Sequence, residues 1–173
     1  MRWGVLALFA LAGGCGYQQS GVYEHEAPGY QWHSLYREDI QTVAVPVFTN
    51  RSYRHGDEIE LTKAIIKEME AHTPYKVVSS QRADTILEGE ITDAHTATLN
   101  DDPLTGLPQT QVYTVIVNFT WKNLRTGQIL TERHGFAQKG TYYPTLGEGT
   151  PVGAQAAIER LALDIVQELQ ADW

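Results

Sequence analysis

Between Gln111 and Lys122 the chain places Tyr113, Val115, Val117, Phe119 and Trp121 on one side and Thr114, Asn118, Thr120 and Lys122 on the other. Side chains of a strand alternate between faces, so this stretch is a strand with one buried and one wet face, as in an antiparallel sheet. A sheet of that kind must be covered on one side only, and the rest of the chain has to supply the cover. Leu124-Arg125-Thr126-Gly127 is a tight hairpin turn, with Gly127 free to take positive φ. Gln128–Ala137 returns as the partner strand.

Two segments have the helical period that a cover needs. Leu61, Ala64, Ile65 and Met69 form one stripe, with Glu60, Lys63, Lys67 and Glu70 outside it. Asp57 stands three residues before Glu60, a capping-box spacing with Asp57 as N-cap, and Thr73-Pro74 stops the helix. Near the C-terminus, Thr150 as N-cap and Pro151 at the first helical position open a second helix. Its stripe is Ile158, Leu161, Ala162, Ile165 and Leu169, and Arg160 is one turn from Asp164, the spacing of a surface ion pair.

The remaining apolar runs are strands. Thr42–Phe48 sets Val43, Val45 and Val47 on one side, while Pro46 cannot donate to a ladder and marks an edge or a bulge. Tyr75–Ser79 is short. Thr85–Leu99 is long, with Leu87 and Ile91 inward and Gly89 between them as a bulge. Asn100–Gln109, with two prolines, a glycine and two aspartates, is a loop. The order is β-α-β-β-β-β-α. The first strand, helix and second strand form a crossover unit with parallel strands and a right-handed connection. The expected fold is therefore α+β: a two-layer sandwich, two helices on one face of a mostly antiparallel four- to five-stranded sheet.

Residues 1–14 follow a different rule. Arg2 is their only charge, Trp3–Leu11 is apolar, and Gly13-Gly14 precede Cys15. A positive start, a short apolar run and small residues before a cleavage point make an export signal. The run is too short to cross a bilayer core, which takes about 20 residues. Ala12-Gly13-Gly14-Cys15 resembles a lipobox, with Ala12 where leucine is usual, and the chain's one cysteine falls at the cleavage point. By that resemblance Cys15 receives diacylglycerol and an N-acyl chain (palmitate); a plain secretory signal with an incidental cysteine is the other reading. With no second cysteine an internal disulfide is impossible. Gly16 stands where many inner-membrane lipoproteins have Asp, so the expected destination is the outer membrane, facing the periplasm. Residues 15–40 then read as the lipidated N-terminus and tether, and 41–173 as a single α+β domain.

Charge removes some partners. The chain has 13 basic and 21 acidic residues, and loss of residues 1–14 removes one of the 13. A chain this acidic lacks the basic footprint of nucleic-acid binding and is repelled by anionic membrane surfaces. Neither catalysis nor a cofactor beyond the acyl chains is expected. His25, His33, His55, His72, His95 and His134 have no metal-ligand spacing, and there is no G-x-S-x-G, P-loop or G-x-G-x-x-G. Asn100-Asp101-Asp102 lacks the alternating oxygen ligands of a calcium loop and fits turn chemistry before Pro103. What remains is surface: the wet sheet face, the long loop and the hairpin present Thr, Asn, Gln and Tyr, which suits docking on another protein. A solvated face without a partner is the alternative.

Several stretches together resemble one family. They are Cys15-Gly16-Tyr17; Val43-Ala44-Val45-Pro46-Val47-Phe48-Thr49-Asn50-Arg51-Ser52 running into Glu60-Leu61-Thr62-Lys63-Ala64; Ala83-Asp84-Thr85-Ile86-Leu87-Glu88-Gly89; Tyr113 to Gly127; and Pro144-Thr145-Leu146-Gly147-Glu148 before the alanine-rich last helix. The pattern is similar to LptE, the lipopolysaccharide-assembly lipoproteins, over nearly the whole mature chain. Val-Ala-Val-x-x-Phe openings also occur in other envelope lipoproteins, so a structural or secretion-assembly module stays open. The LptE resemblance implies a sandwich inside the lumen of the outer-membrane β-barrel LptD, plugging it, helping it assemble and assisting delivery of lipopolysaccharide to the outer leaflet. It also implies basic residues that contact lipopolysaccharide phosphates. Lys122 and Arg125, near the hairpin turn, are the candidates; two solubilising charges at a turn would look the same.

Overall fold

A computed structural model describes residues 35–170. Six strands and two helices follow one another as β1 (Thr42–Ala44), β2 (Thr49–Asn50), α1 (Asp57–His72), β3 (Lys76–Val77), β4 (Thr85–Asp101), β5 (Pro108–Asn123), β6 (Ile129–Tyr142) and α2 (Thr150–Gln167). Both amphipathic stripes meet the apolar face of β5. Tyr113, Val115, Val117, Phe119 and Trp121 are buried, and they form one core with Leu61, Ile65 and Met69 of α1 and Ile158, Leu161 and Ile165 of α2.

The sheet has six strands in the order β3-β1-β4-β5-β6, with β2 on β4. It is mixed, which corrects the expected mostly antiparallel sheet of four or five strands. β4, β5 and β6 are antiparallel, but β1 lies between β3 and β4 and is parallel to both. The β1-α1-β3 crossover accounts for one parallel pair. A connection through the 3₁₀ turn Ser80–Arg82 brings the chain to the other side of β1 and makes the second. Asp84 fixes that join: its carboxylate accepts from the Thr42 hydroxyl at 2.8 Å and the Thr42 amide at 3.1 Å.

The extra strand comes from Pro46. The run read as one strand over 42–48 holds only β1, which ends at Ala44, and pairing resumes just beyond the run at Thr49, as β2. Ala44 to Thr49 is five residues, whereas their β4 partners Ile86 to Glu90 span four. One residue is therefore bulged out, and every side chain beyond it changes face. Val43 and Phe48 are buried while Val47 is 61% exposed, so Val47 is not a core residue as its spacing predicted.

Gly89 is not the bulge. It pairs regularly with Phe119, and the register of β4 shifts between Ile91 and Asp93. Its lack of a side chain serves packing instead: a Cβ there would lie 2.1 Å from Cε1 of Phe48. β4 and β5 extend to Asp101 and Pro108, so the loop between them is residues 102–107 rather than 100–109. β6 continues to Tyr142, five residues past the sequence estimate.

Both helix starts lie one residue earlier than the sequence suggests, and neither has a side-chain cap. The N-caps are Gly56, at φ 104°, and Gly149. The two side chains expected to cap are held by tyrosines of the sheet. Tyr113 donates to the Asp57 carboxylate, and the Tyr142 hydroxyl lies 3.2 Å from that of Thr150. Burial and the neighbouring Asp57 carboxylate push the Tyr113 hydroxyl pKa far up, so it stays a donor. The expected Arg160–Asp164 pair also gives way to the sheet. Arg160 donates to the Lys139 carbonyl at 3.0 Å, and Asp164 accepts from the Gln138 amide.

Candidate functional site

The end of the sheet where residues 35–41 join β1 carries both basic candidates. The β5–β6 turn is built on Asn123, whose buried side chain accepts from the amides of Arg125 at 2.9 Å and Thr126 at 3.1 Å. Gly127, at φ 73°, closes it with a bond to the Asn123 carbonyl. The Leu124 amide donates to the Asp84 carbonyl, which ties the turn to the start of β4.

This frame separates the roles of the two cations. The Arg125 guanidinium donates to the Asp39 carbonyl at 3.3 Å and stands 3.9 Å from the Asp84 carboxylate. Asp84 is held below the usual carboxylate range by the Thr42 hydroxyl above all, with Gln41 and Thr42 amides and Arg125 adding to it. It is therefore charged at neutral pH and offsets part of the Arg125 field. Lys122 projects from the helix-free face between Ile86 and Ile129, with no side-chain hydrogen bond or ion pair among the described residues. Of the pair, Lys122 is the free cation and Arg125 is already braced. Cys15, the lipidation candidate, lies outside the described residues.

At the opposite end, Asp102 makes the turn chemistry expected of it. Its Oδ1 accepts from the amides of Leu104 at 2.8 Å and Thr105 at 2.9 Å, and these bonds hold its pKa down. Among the described residues no three or more His, Cys, Asp or Glu are grouped to hold a metal ion. A groove of about 500 Å³ runs between the outer sides of α1 and α2, with Ala64, Pro151, Ala154 and Ile158 as an apolar floor. Its rim is charged, Lys63 pairing with Glu60 at 3.0 Å, and its lining includes no Ser, Cys or His to serve as a nucleophile or an imidazole base.

The apolar tip of the β4–β5 hairpin was missed in the sequence because Leu99, Leu104 and Leu107 lie within or beside what read as a loop. They are 63%, 94% and 62% exposed. The signal was there as three leucines among turn residues.

The architecture is that of a small two-layer α+β module found in bacterial proteins of known structure. Similar folds include the PelC dodecamer of Paraburkholderia phytofirmans (17% identity, TM-score 0.51, 79% of this chain and 93% of that one). A minor lipoprotein of Acinetobacter baumannii is also similar (15%, 0.52, 78% and 98%), as is a hypothetical protein of Chlamydia trachomatis (8%, 0.52, 75% and 98%). No curated protein matches the sequence itself. The family model LptE, described as lipopolysaccharide-assembly, matches residues 40–172, and the chain belongs to that family.

Proposed function

We propose that this protein is a lipoprotein of the outer membrane, anchored on its periplasmic side by acyl chains on Cys15, that plugs an LptD-type β-barrel. There it helps the barrel assemble and assists delivery of lipopolysaccharide to the outer leaflet. It works as a binding and assembly subunit, without catalysis or a cofactor beyond its acyl chains. The observation that carries this reading is the family match, which spans both helices and every strand of the sandwich. Physical chemistry supports it: the lumen of an outer-membrane barrel is polar. A plug must therefore have a hydrophobic core of its own, as this sandwich does.

Affinity purification from detergent-solubilised outer membranes tests the partner. The expected co-eluting species is a large β-barrel of the lipopolysaccharide-export type in near-equal amount. Recovery of the protein alone, or with a secretion complex, would overturn the barrel reading and leave an anchored structural module.

Lys122 and Arg125 are proposed to contact lipopolysaccharide phosphates. A charge-assisted hydrogen bond contributes about 1.5–3 kcal/mol, so Lys122→Ala with Arg125→Ala is expected to weaken lipopolysaccharide binding about tenfold or more. Because Arg125 also braces the turn, Lys122→Ala alone should account for most of the loss. Unchanged binding by the double variant removes this site.

A further inference from the structure

The two borders of the sheet differ. β6 is the edge on one side, and it is shielded. Glu132, Arg133 and Lys139 lie along it, and the positive-φ Gly135 (φ 64°) falls where its register shifts. Charges and bulges of this kind prevent a foreign strand from pairing. On the other side β3 is the edge, beside β1, but β1 pairs with β4 only at Thr85 and Ile86 and β2 only at Glu90 and Ile91. From Asp93 to Asp101 no described strand pairs with the outer edge of β4. This edge keeps its register from Asp93 to Thr98 without Lys, Pro or Gly, and shifts on either side of Asn100. The regular part leaves alternate backbone donors and acceptors unpaired over a length of about 20 Å. It also lies toward the end of the sheet opposite the one where residues 35–41 enter.

We propose that the Asp93–Asp101 edge of β4 is a strand-addition site for an extended, basic segment of another polypeptide. Main-chain pairing would supply the affinity and alternate side chains the selectivity. Charge selects the occupant. The edge itself carries two exposed carboxylates, Asp93 beside His95 at 2.7 Å and Asp101, and no Lys or Arg lies between Arg82 and Lys122. A second copy of this chain is a poor occupant in the symmetric register that overlaps the whole edge. Antiparallel self-pairing centred on Ala97 would set Asp93 opposite Asp101 of the other copy, and like charges directly opposite are destabilising. A partner strand with lysines or arginines at those positions meets opposite charge instead. Nothing in this pairing depends on the barrel partner proposed above.

The test is amide hydrogen exchange on the full mature lipidated chain in detergent micelles. Two synthetic twelve-residue peptides are added in turn, one alternating valine and threonine with lysine, the other with each lysine replaced by glutamate. The lysine peptide is expected to slow exchange across residues 93–101 and leave 129–142 unchanged, while the glutamate peptide does neither at the same concentration. Asp93→Asn with Asp101→Asn, both at exposed positions, should weaken the lysine peptide several-fold. Equal protection by both peptides, protection along β6, or none at millimolar peptide would overturn the proposal. So would protection of 93–101 that rises with protein concentration alone, which would mark self-pairing.

Discussion

Gly140→Ala is expected to lower the melting temperature of the isolated protein by about 10 °C, a loss of roughly 3 kcal/mol. The cause is a close approach between the sheet and a helix. A Cβ on Gly140 would lie 1.9 Å from the Gly153 carbonyl oxygen and 2.7 Å from the Ala157 nitrogen. Both obstacles are main-chain atoms of α2, so no rotamer change relieves them. The helix must back away from β6, and that loosens Ala154, Ala157, Ile158 and Leu161, which are all part of the core.

Gly153 faces the same contact from the helix, where a Cβ would lie 2.5 Å from Cδ1 of Tyr142. Gly153→Ala should cost less, because alanine in a helix interior recovers about 1 kcal/mol relative to glycine. Gly149→Ala is the control. Its Cβ would make only an ordinary contact, 3.4 Å from Pro151, so its cost is that of alanine for glycine at the N-cap, about 1 kcal/mol, well below that of Gly140→Ala. Thermal unfolding followed by circular dichroism ranks all three. A Gly140→Ala protein as stable as the parent would show that α2 does not sit directly on β6.

The Gly140–Gly153 contact shows what sequence can and cannot give. Period fixes which face of an element is apolar, and both helix stripes and the β5 face were legible for that reason. It does not fix how close two elements come. Neither glycine stands out in the chain until the fold places them opposite each other. The same holds for the helix starts. Asp57 and Thr150 have the chemistry of caps, but Tyr113 and Tyr142 reach them across the sheet, and tertiary bonds displaced the local ones. Parallel pairing of β4 with β1 was hidden because the connection through Ser80–Arg82 has no helix to announce it. Around the candidate site, the turn was legible from Gly127, and the two basic residues from their place beside it, their role coming from the family resemblance alone. The Asp84 carboxylate beside Arg125 was not, since it comes from more than 40 positions earlier in the sequence.

Gly89→Ala is the second substitution with a large expected effect, and it tests the register of the first strand. In the structure the extra residue between Ala44 and Thr49 turns Phe48 into the core, where its ring covers Gly89. The Phe48 amide donates to the Thr62 hydroxyl at 3.1 Å, and that hydroxyl donates to the Glu58 carbonyl at 2.7 Å, so the backbone cannot slide to make room. An added methyl therefore displaces the ring, and losing the burial of a phenylalanine costs about 2–3 kcal/mol. Phe48→Ala alone should cost about 3–5 kcal/mol. The double variant is expected to cost at least about 1 kcal/mol less than the sum, because the methyl added in place of the Gly89 hydrogen then enters space the ring has vacated. Urea unfolding of the four proteins measures this coupling. Had the run from Thr42 to Phe48 continued as one unbroken strand, Val47 would face the core and Phe48 the solvent, and the two substitutions would simply add. Additive costs would thus restore the unbroken strand, whereas positive coupling would locate the extra residue between Ala44 and Thr49.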